Sequence, residues 1–255
     1  MKKWIYRLIE LVLLCVIIFC LWKIGSYFLG RKISDDSFTA LERIVEERKD
    51  QGGDQGKEEK KLDYQSIMKD LREKNEDVIA YLQVEGTKIN YPVVQAKNND
   101  YYLRRGLDKK YSFQGIPYMD YRNNPNLEDQ NTVIYGHMMN IGKTSMFGYF
   151  QDFLDQAYTD ESPKNIQMIT DRGVYRYRMI AMTFLPEAAD YRNPQMKEKE
   201  FLDHVNRLIK GSEVDFRYGQ SILPKDKILT LSTCTPDQDA SRRLAILAVL
   251  INKDE

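Results

Sequence analysis

The chain has 255 residues and balances 38 acidic against 38 basic side chains. That length accommodates one or two domains, and the even charge lacks the concentrated basic surface of a nucleic-acid binder, so nucleic acid is not an expected partner. Cys234 is the only cysteine outside the apolar N-terminal run that holds Cys15 and Cys20, which excludes an internal disulfide in the rest of the chain.

The first thirty residues read as a membrane anchor. Leu11–Trp22 carries no charge, and extending the run from Leu8 to Leu29 gives 22 residues, about 33 Å of helix at ~1.5 Å per residue. Trp4, Tyr6, Trp22 and Tyr27 suit the membrane–water interface. A cleaved signal peptide is the rival, but Gly25-Ser26-Tyr27-Phe28 makes a poor cleavage site. The basic head, Met1-Lys2-Lys3, favours a short cytoplasmic end in residues 1–30, although Lys23, Arg31 and Lys32 weaken that bias. The expected localisation is the cell membrane, crossed once, with the C-terminal part outside. Residues 31–61 read as a charged extracellular stalk. Asp35–Glu47 has a short helical stripe (Phe38, Leu41, Ile44, Val45), and KDQGGDQGKEEKK, residues 49–61, is too polar to order itself.

From residue 62 to 255 the pattern is that of one domain. Tyr64–Leu71 has a helical stripe, and Asn75 can cap a second short helix through Glu76 and Asp77. Tyr81–Val84 and Ile89–Val94 are strand-like around Glu85-Gly86. Asn99–Leu103 fits a helical turn; Tyr111–Met119 and Thr132–Tyr135 fit short strands; Ser145–Leu154 fits a helix. Ile166–Thr170 and Val174–Phe184 form a hairpin about Asp171-Arg172-Gly173. Strict alternation in its second arm would put Val174, Arg176, Arg178, Ile180 and Met182 on one face. Met196–Lys210 is helical, and strands Lys227–Thr233 and Leu244–Ile251 finish the chain. Many short strands with few helices argue a mainly β domain, a closed or nearly closed barrel with helices outside. The GxGxxG, P-loop, G-x-S-x-G and HExxH patterns are absent.

Three pieces carry chemistry. Thr230-Leu231-Ser232-Thr233-Cys234-Thr235 ends a strand on a thiol. Tyr135-Gly136-His137 ends another before the polar loop 140–145. Arg242-Arg243 opens the last strand. A cysteine thiolate attacks carbonyls, an imidazole can lower the thiol's pKa and then protonate a leaving amine, and an arginine can hold an oxyanion. Each has a plainer reading. Cys234 could be a small buried hydrophobe or an intermolecular link, His137 a packed or surface histidine, and the arginines solvated rim charges. His204 lies in a charged amphipathic helix and is a weak candidate.

The TLSTC segment, an arginine nine residues after Cys234 and the upstream Tyr-Gly-His together resemble the sortases, from about Leu62 onward. The helices before the barrel, the Met196–Lys210 helix, Asn90-Tyr91-Pro92-Val93-Val94-Gln95 and Asn99-Asp100-Tyr101-Tyr102-Leu103 are similar to class B. The resemblance implies an eight-stranded sortase-like barrel with N-terminal helices and a long helix between strands 6 and 7. It implies a cysteine transpeptidase (EC 3.4.22 class) that cleaves a C-terminal sorting motif of secreted proteins after threonine. The acyl group then passes from Cys234 to an amine of peptidoglycan or its lipid-linked precursor, anchoring the protein to a Gram-positive wall. His137 matches the family's acid/base and Arg243 its arginine, with Arg242 on the opposite strand face. Asn98, Leu103, Ser232, Thr233 and Asp237 are the expected substrate-binding positions. No nucleotide, haem or metal is implied. A hydrolysing Cys-His peptidase, a pilin-polymerising sortase and a non-catalytic tethered barrel are the alternatives.

Overall fold

The computed structural model describes residues 2–51, 63–138, 146–237 and 239–254. Helix α1 (Lys2–Gln51) and α2 (Tyr64–Lys74) come first, then β1 (Val78–Val84), β2 (Asn90–Val94), β3 (Tyr118–Met119) and β4 (Asn131–Tyr135). A 3-10 helix (Phe147–Leu154) and α3 (Gln156–Glu161) lead into the hairpin of β5 (Asn165–Thr170) and β6 (Gly173–Pro186). Then follow α4 (Glu198–Lys210), β7 (Ile228–Cys234) and β8 (Arg242–Asp254). The strands close into a barrel in the order β1-β2-β3-β4-β7-β8-β6-β5. This is the eight-stranded architecture anticipated from the sequence, with α4 between the sixth and seventh strands. Closure removes the unpaired edges an open sheet would expose.

Leu82, Val93, Ile134, Met168, Tyr177, Leu231 and Ile246 belong to the main core. Phe201, Val205 and Leu208 of α4 join a second cluster with Ile180, Leu247 and Val249 on the sheet's other face. His204 is on the buried side of α4, with Nδ1 3.3 Å from the Arg207 guanidinium, away from the site described below.

The helix expected at 35–47 is part of a longer one. Instead of a short helix at 35–47, α1 runs unbroken from Lys2 to Gln51, about 75 Å at ~1.5 Å per residue. Its later turns bury Phe38, Leu41 and Val45 against the domain, with the Phe38 ring edge-on to Tyr91 at 4.9 Å. The side chain of Ile44 and residues 52–61 of the proposed spacer lie outside the described residues. Lys3–Gly30 is long and apolar enough to cross a membrane.

Other differences have local causes. Asn75 ends α2 rather than starting a helix, because its side chain donates to Tyr102 Oη and Leu107 O and accepts from Asp77 N. Only Tyr118–Met119 of the expected 111–119 strand is paired in the barrel, whereas the turn expected at 99–103 is present at 101–104. The helix expected from Ser145 begins at Phe147 and has 3-10 form. In β6 a register shift between Met179 and Ala181 breaks the alternation. Met182 therefore joins Tyr177 and Met179 in the main core, away from Ile180.

Candidate active site

The site begins with a parallel pair. β4 and β7 run side by side in register, Tyr135 opposite Ser232. Parallel strands end on the same side, so the two residues that follow Tyr135 and the two that follow Ser232 emerge together. Those are Gly136-His137 and Thr233-Cys234. Gly136 N donates to Ser232 O at 3.1 Å and extends the ladder past the strand end. Gly136 is required by close approach: a Cβ there would lie 2.7 Å from the Phe147 ring. The same Phe147 donates its N–H to His137 O at 3.0 Å, so the 3-10 helix fixes the backbone that carries the imidazole.

β8 supplies the cation. It pairs antiparallel with β7, and Arg243 is the direct partner of Cys234. Directly paired residues share a sheet face with Cβ atoms about 5 Å apart. Arg242 has the opposite parity. Its guanidinium stacks on Phe184 at 4.6 Å and reaches Asp237 at 4.0 Å. Arg243 is held by Nη1–H donation to Ala240 O at 3.0 Å and Arg242 O at 2.8 Å. Its Nη2 lies 3.9 Å from Glu187 Oε1, and the same oxygen takes Arg192 Nη2 at 3.2 Å.

His137 Nε2 lies 2.9 Å from Leu103 O. A carbonyl only accepts, so the ring proton of neutral His137 sits on Nε2 and Nδ1 is the open base. Burial lowers the pKa below the ordinary 6.5; the bond to Leu103 opposes this and the charge of Arg104 adds to it. The ring is therefore neutral at pH 7. Cys234 is half-buried and in no disulfide.

His137, Cys234 and Arg243 line one cleft of about 530 Å³ with Leu103, Ser232 and Thr233. Ser232 Oγ is engaged by Tyr191 Oη at 2.7 Å. The Thr233 hydroxyl is buried and has no hydrogen-bond partner among the described residues. Asn98 and Asp237, expected to bind substrate, are not among the lining residues. Asn98 is exposed and accepts from Asp100 N and Tyr101 N, shaping the turn that carries Leu103.

Sequence reasoning missed the polar wall opposite. Asp120 is fully buried and accepts two bonds from the Arg122 guanidinium, both 2.9 Å, one from Tyr135 Oη at 2.7 Å and one from Asn99 Nδ2 at 3.1 Å. Burial pushes its carboxyl up, but those donors outweigh burial and hold the pKa down to about 2. Tyr118 is paired with Tyr135, the rings 5.2 Å apart, and its hydroxyl pKa is raised by burial and by the fields of Asp100, Asp120 and Cys234, with Arg243 opposing. Asp120-x-Arg122 was the one available signal, an opposite-charge pair just after a strand. Glu187 and Arg192 had none, because only the β6–β8 pairing brings the end of β6 beside Arg243.

The sortase domain model matches residues 82–251. Sortase B of Listeria monocytogenes is 28% identical over 258 residues, covering 99% of each chain. Sortase B of Staphylococcus aureus is 28% identical over 187 residues, 71% of this chain and 73% of its own. The structure of a Staphylococcus aureus sortase B–substrate complex superposes with a TM-score of 0.75 at 22% identity, covering 88% of this chain and 99% of that one, a likeness of fold. The chain belongs to the sortase family of cysteine transpeptidases. Within that family it is closest to class B.

Proposed function

We propose that this chain is a class B transpeptidase that cleaves a C-terminal sorting motif of secreted proteins after its threonine and passes the acyl group to an amine of peptidoglycan or its lipid-linked precursor. The observation that carries the reading is the convergence of Cys234, His137 and Arg243 on one cleft from the ends of β7 and β4 and the start of β8. Neutral His137, with Nε2–H committed to Leu103, takes the thiol proton on Nδ1. The Cys234 thiolate adds to the threonine carbonyl, and the Arg243 N–H groups stabilise the oxyanion. The intermediate collapses as the imidazolium protonates the leaving amine, giving a thioester on Cys234. The acceptor amine then attacks the thioester, loses a proton to His137 and leaves the thiol free. Leu103 and Thr233 line the cleft where the motif's side chains would pack, with Ser232 beneath them.

Residues 1–30 are read as a short cytoplasmic end and a membrane anchor, and the domain from residue 62 onward as extracellular. Protease treatment of intact cells is expected to degrade that domain; its survival would reverse the orientation.

The test incubates the purified full chain with threonine-containing sorting peptides and a peptidoglycan-like amine, with products identified by mass. A thioester on Cys234 followed by an amide-linked product is expected, with both lost in C234A. Hydrolysis alone in saturating amine would reassign the chain as a peptidase.

A further inference from the structure

Residues 103–113 form a braced turn at the rim of the cleft. Arg105 bridges Tyr111, Gly106 N donates to Lys110 O at 2.9 Å and Ser112 N to Arg104 O at 3.0 Å. On the inner side Ser112 is buried, and the neighbouring Tyr102 hydroxyl is tied to Asn75 and Asp77. The outer side is different. Tyr111 is 77% exposed and Phe113 37%, and the Lys110 side chain is 84% exposed. Arg104 is also exposed, and its guanidinium covers the Phe113 ring at 4.9 Å. Lys109 is turned away to Glu76 and Asp77, while among the described residues Lys110 pairs only with Asp108, at 3.7 Å. Folding leaves two aromatic rings and two cations on a rigid tip, where none adds to the core.

A second observation says what covers this tip. The Phe113 ring meets Tyr27 of α1 edge-on at 5.0 Å. Tyr27 lies three residues before the end of the apolar span Lys3–Gly30 and is the only residue of that span that is not exposed. A helix that crosses a bilayer over those residues ends at headgroup depth, where aromatic rings and cations are favoured. The contact holds the 103–113 turn at that same depth.

We propose that the 103–113 turn is a membrane-docking element that seats Tyr111 and Phe113 in the interface and Arg104 and Lys110 against anionic phospholipid headgroups. The inference rests on the reading of Lys3–Gly30 as a membrane anchor. It deepens the function as well. Leu103 begins this turn, lines the cleft and takes the His137 N–H on its carbonyl. Docking therefore opens the cleft at the headgroup layer, where a lipid-linked amine is presented.

The test uses the full chain in nanodiscs containing phosphatidylglycerol and phosphatidylcholine. Trp4 and Trp22 are replaced (W4F, W22F) so that a tryptophan at 111 (Y111W) reports alone. The control is L223W, at an exposed position in the segment before β7. With headgroup-level spin-labelled lipid, Y111W is expected to be blue-shifted and quenched several-fold more than L223W. High salt and K110E should each reduce that quenching, with thermal unfolding unchanged. Equal quenching at 111 and 223 in disc-bound protein would overturn docking while leaving the anchor intact. Quenching insensitive to both salt and K110E would overturn recognition of anionic headgroups. Failure of the chain to elute with the discs would instead sink the anchor reading, and docking with it.

Discussion

Two adjacent arginines at the start of β8 have different surroundings, and kinetics should separate them. Arg243 faces Cys234 across the ladder, so R243A is expected to lower kcat/KM by about 10²–10³-fold. R242A removes a ring-stacked surface cation and should change it by no more than a few-fold. Steady-state transpeptidation of the two variants checks this; the reverse order would exchange their roles. His137 makes a prediction in pH. Acylation needs its neutral ring, and burial lowers its pKa. The acidic limb of the kcat/KM profile should therefore fall below pH 6.5, and a limb above 6.5 would contradict the half-buried, neutral imidazole. The same depression affects stability: the unfolded chain binds the proton more tightly, so this contribution is lost as pH falls from 6.5 through the lowered pKa.

At the scale of elements, the site depends on how three strand ends are held. Gly136 lets the Phe147 ring press against β4's exit, so Gly136→Ala should cost about 1–3 kcal/mol as the ring or the backbone gives way. Activity should fall further than the loss of folded protein explains, because Phe147 also bonds the His137 carbonyl. Denaturant melts alongside rates per folded molecule test this. Asp120 ties the 99–103 turn to β4 through Asn99 and Tyr135. D120N should lower stability by about 2 kcal/mol at pH 7. The sign in acid is set by a carboxyl held down to about 2 from 3.8. Its stabilisation is complete above about pH 4 and drains away toward pH 2, so D120N should also flatten that part of the acid-unfolding curve.

For the whole molecule, the continuous α1 changes how the domain is carried. A flexible stalk would let the catalytic part begin at residue 63 without loss. Instead Phe38, Leu41 and Val45 are buried against it, and at ~1.5–3 kcal/mol per buried side chain, less denatured-state burial, their removal should cost about 3–8 kcal/mol. Protein starting at residue 63 is expected to melt well below protein starting at residue 36; equal melting temperatures would restore the stalk picture.

By itself the sequence determined the family through TLSTC, the Tyr-Gly-His at a strand end and the arginine nine residues after Cys234, because such short motifs are local in the chain. Strand alternation and turn residues likewise made most of the barrel legible. The tertiary structure decided what depends on pairing between distant strands. The β7–β8 register put Arg243 rather than Arg242 opposite Cys234, and a bulge in β6 moved Met182 into the main core. Packing of Phe38 on Tyr91 seats the later turns of α1 against the domain, where the sequence showed only a short helical stripe. The ties of Asp120 to Asn99 and Tyr135, and Glu187 beside Arg243, were silent in the chain for the same reason: side chains that meet only through strand pairing and turns have no period to read.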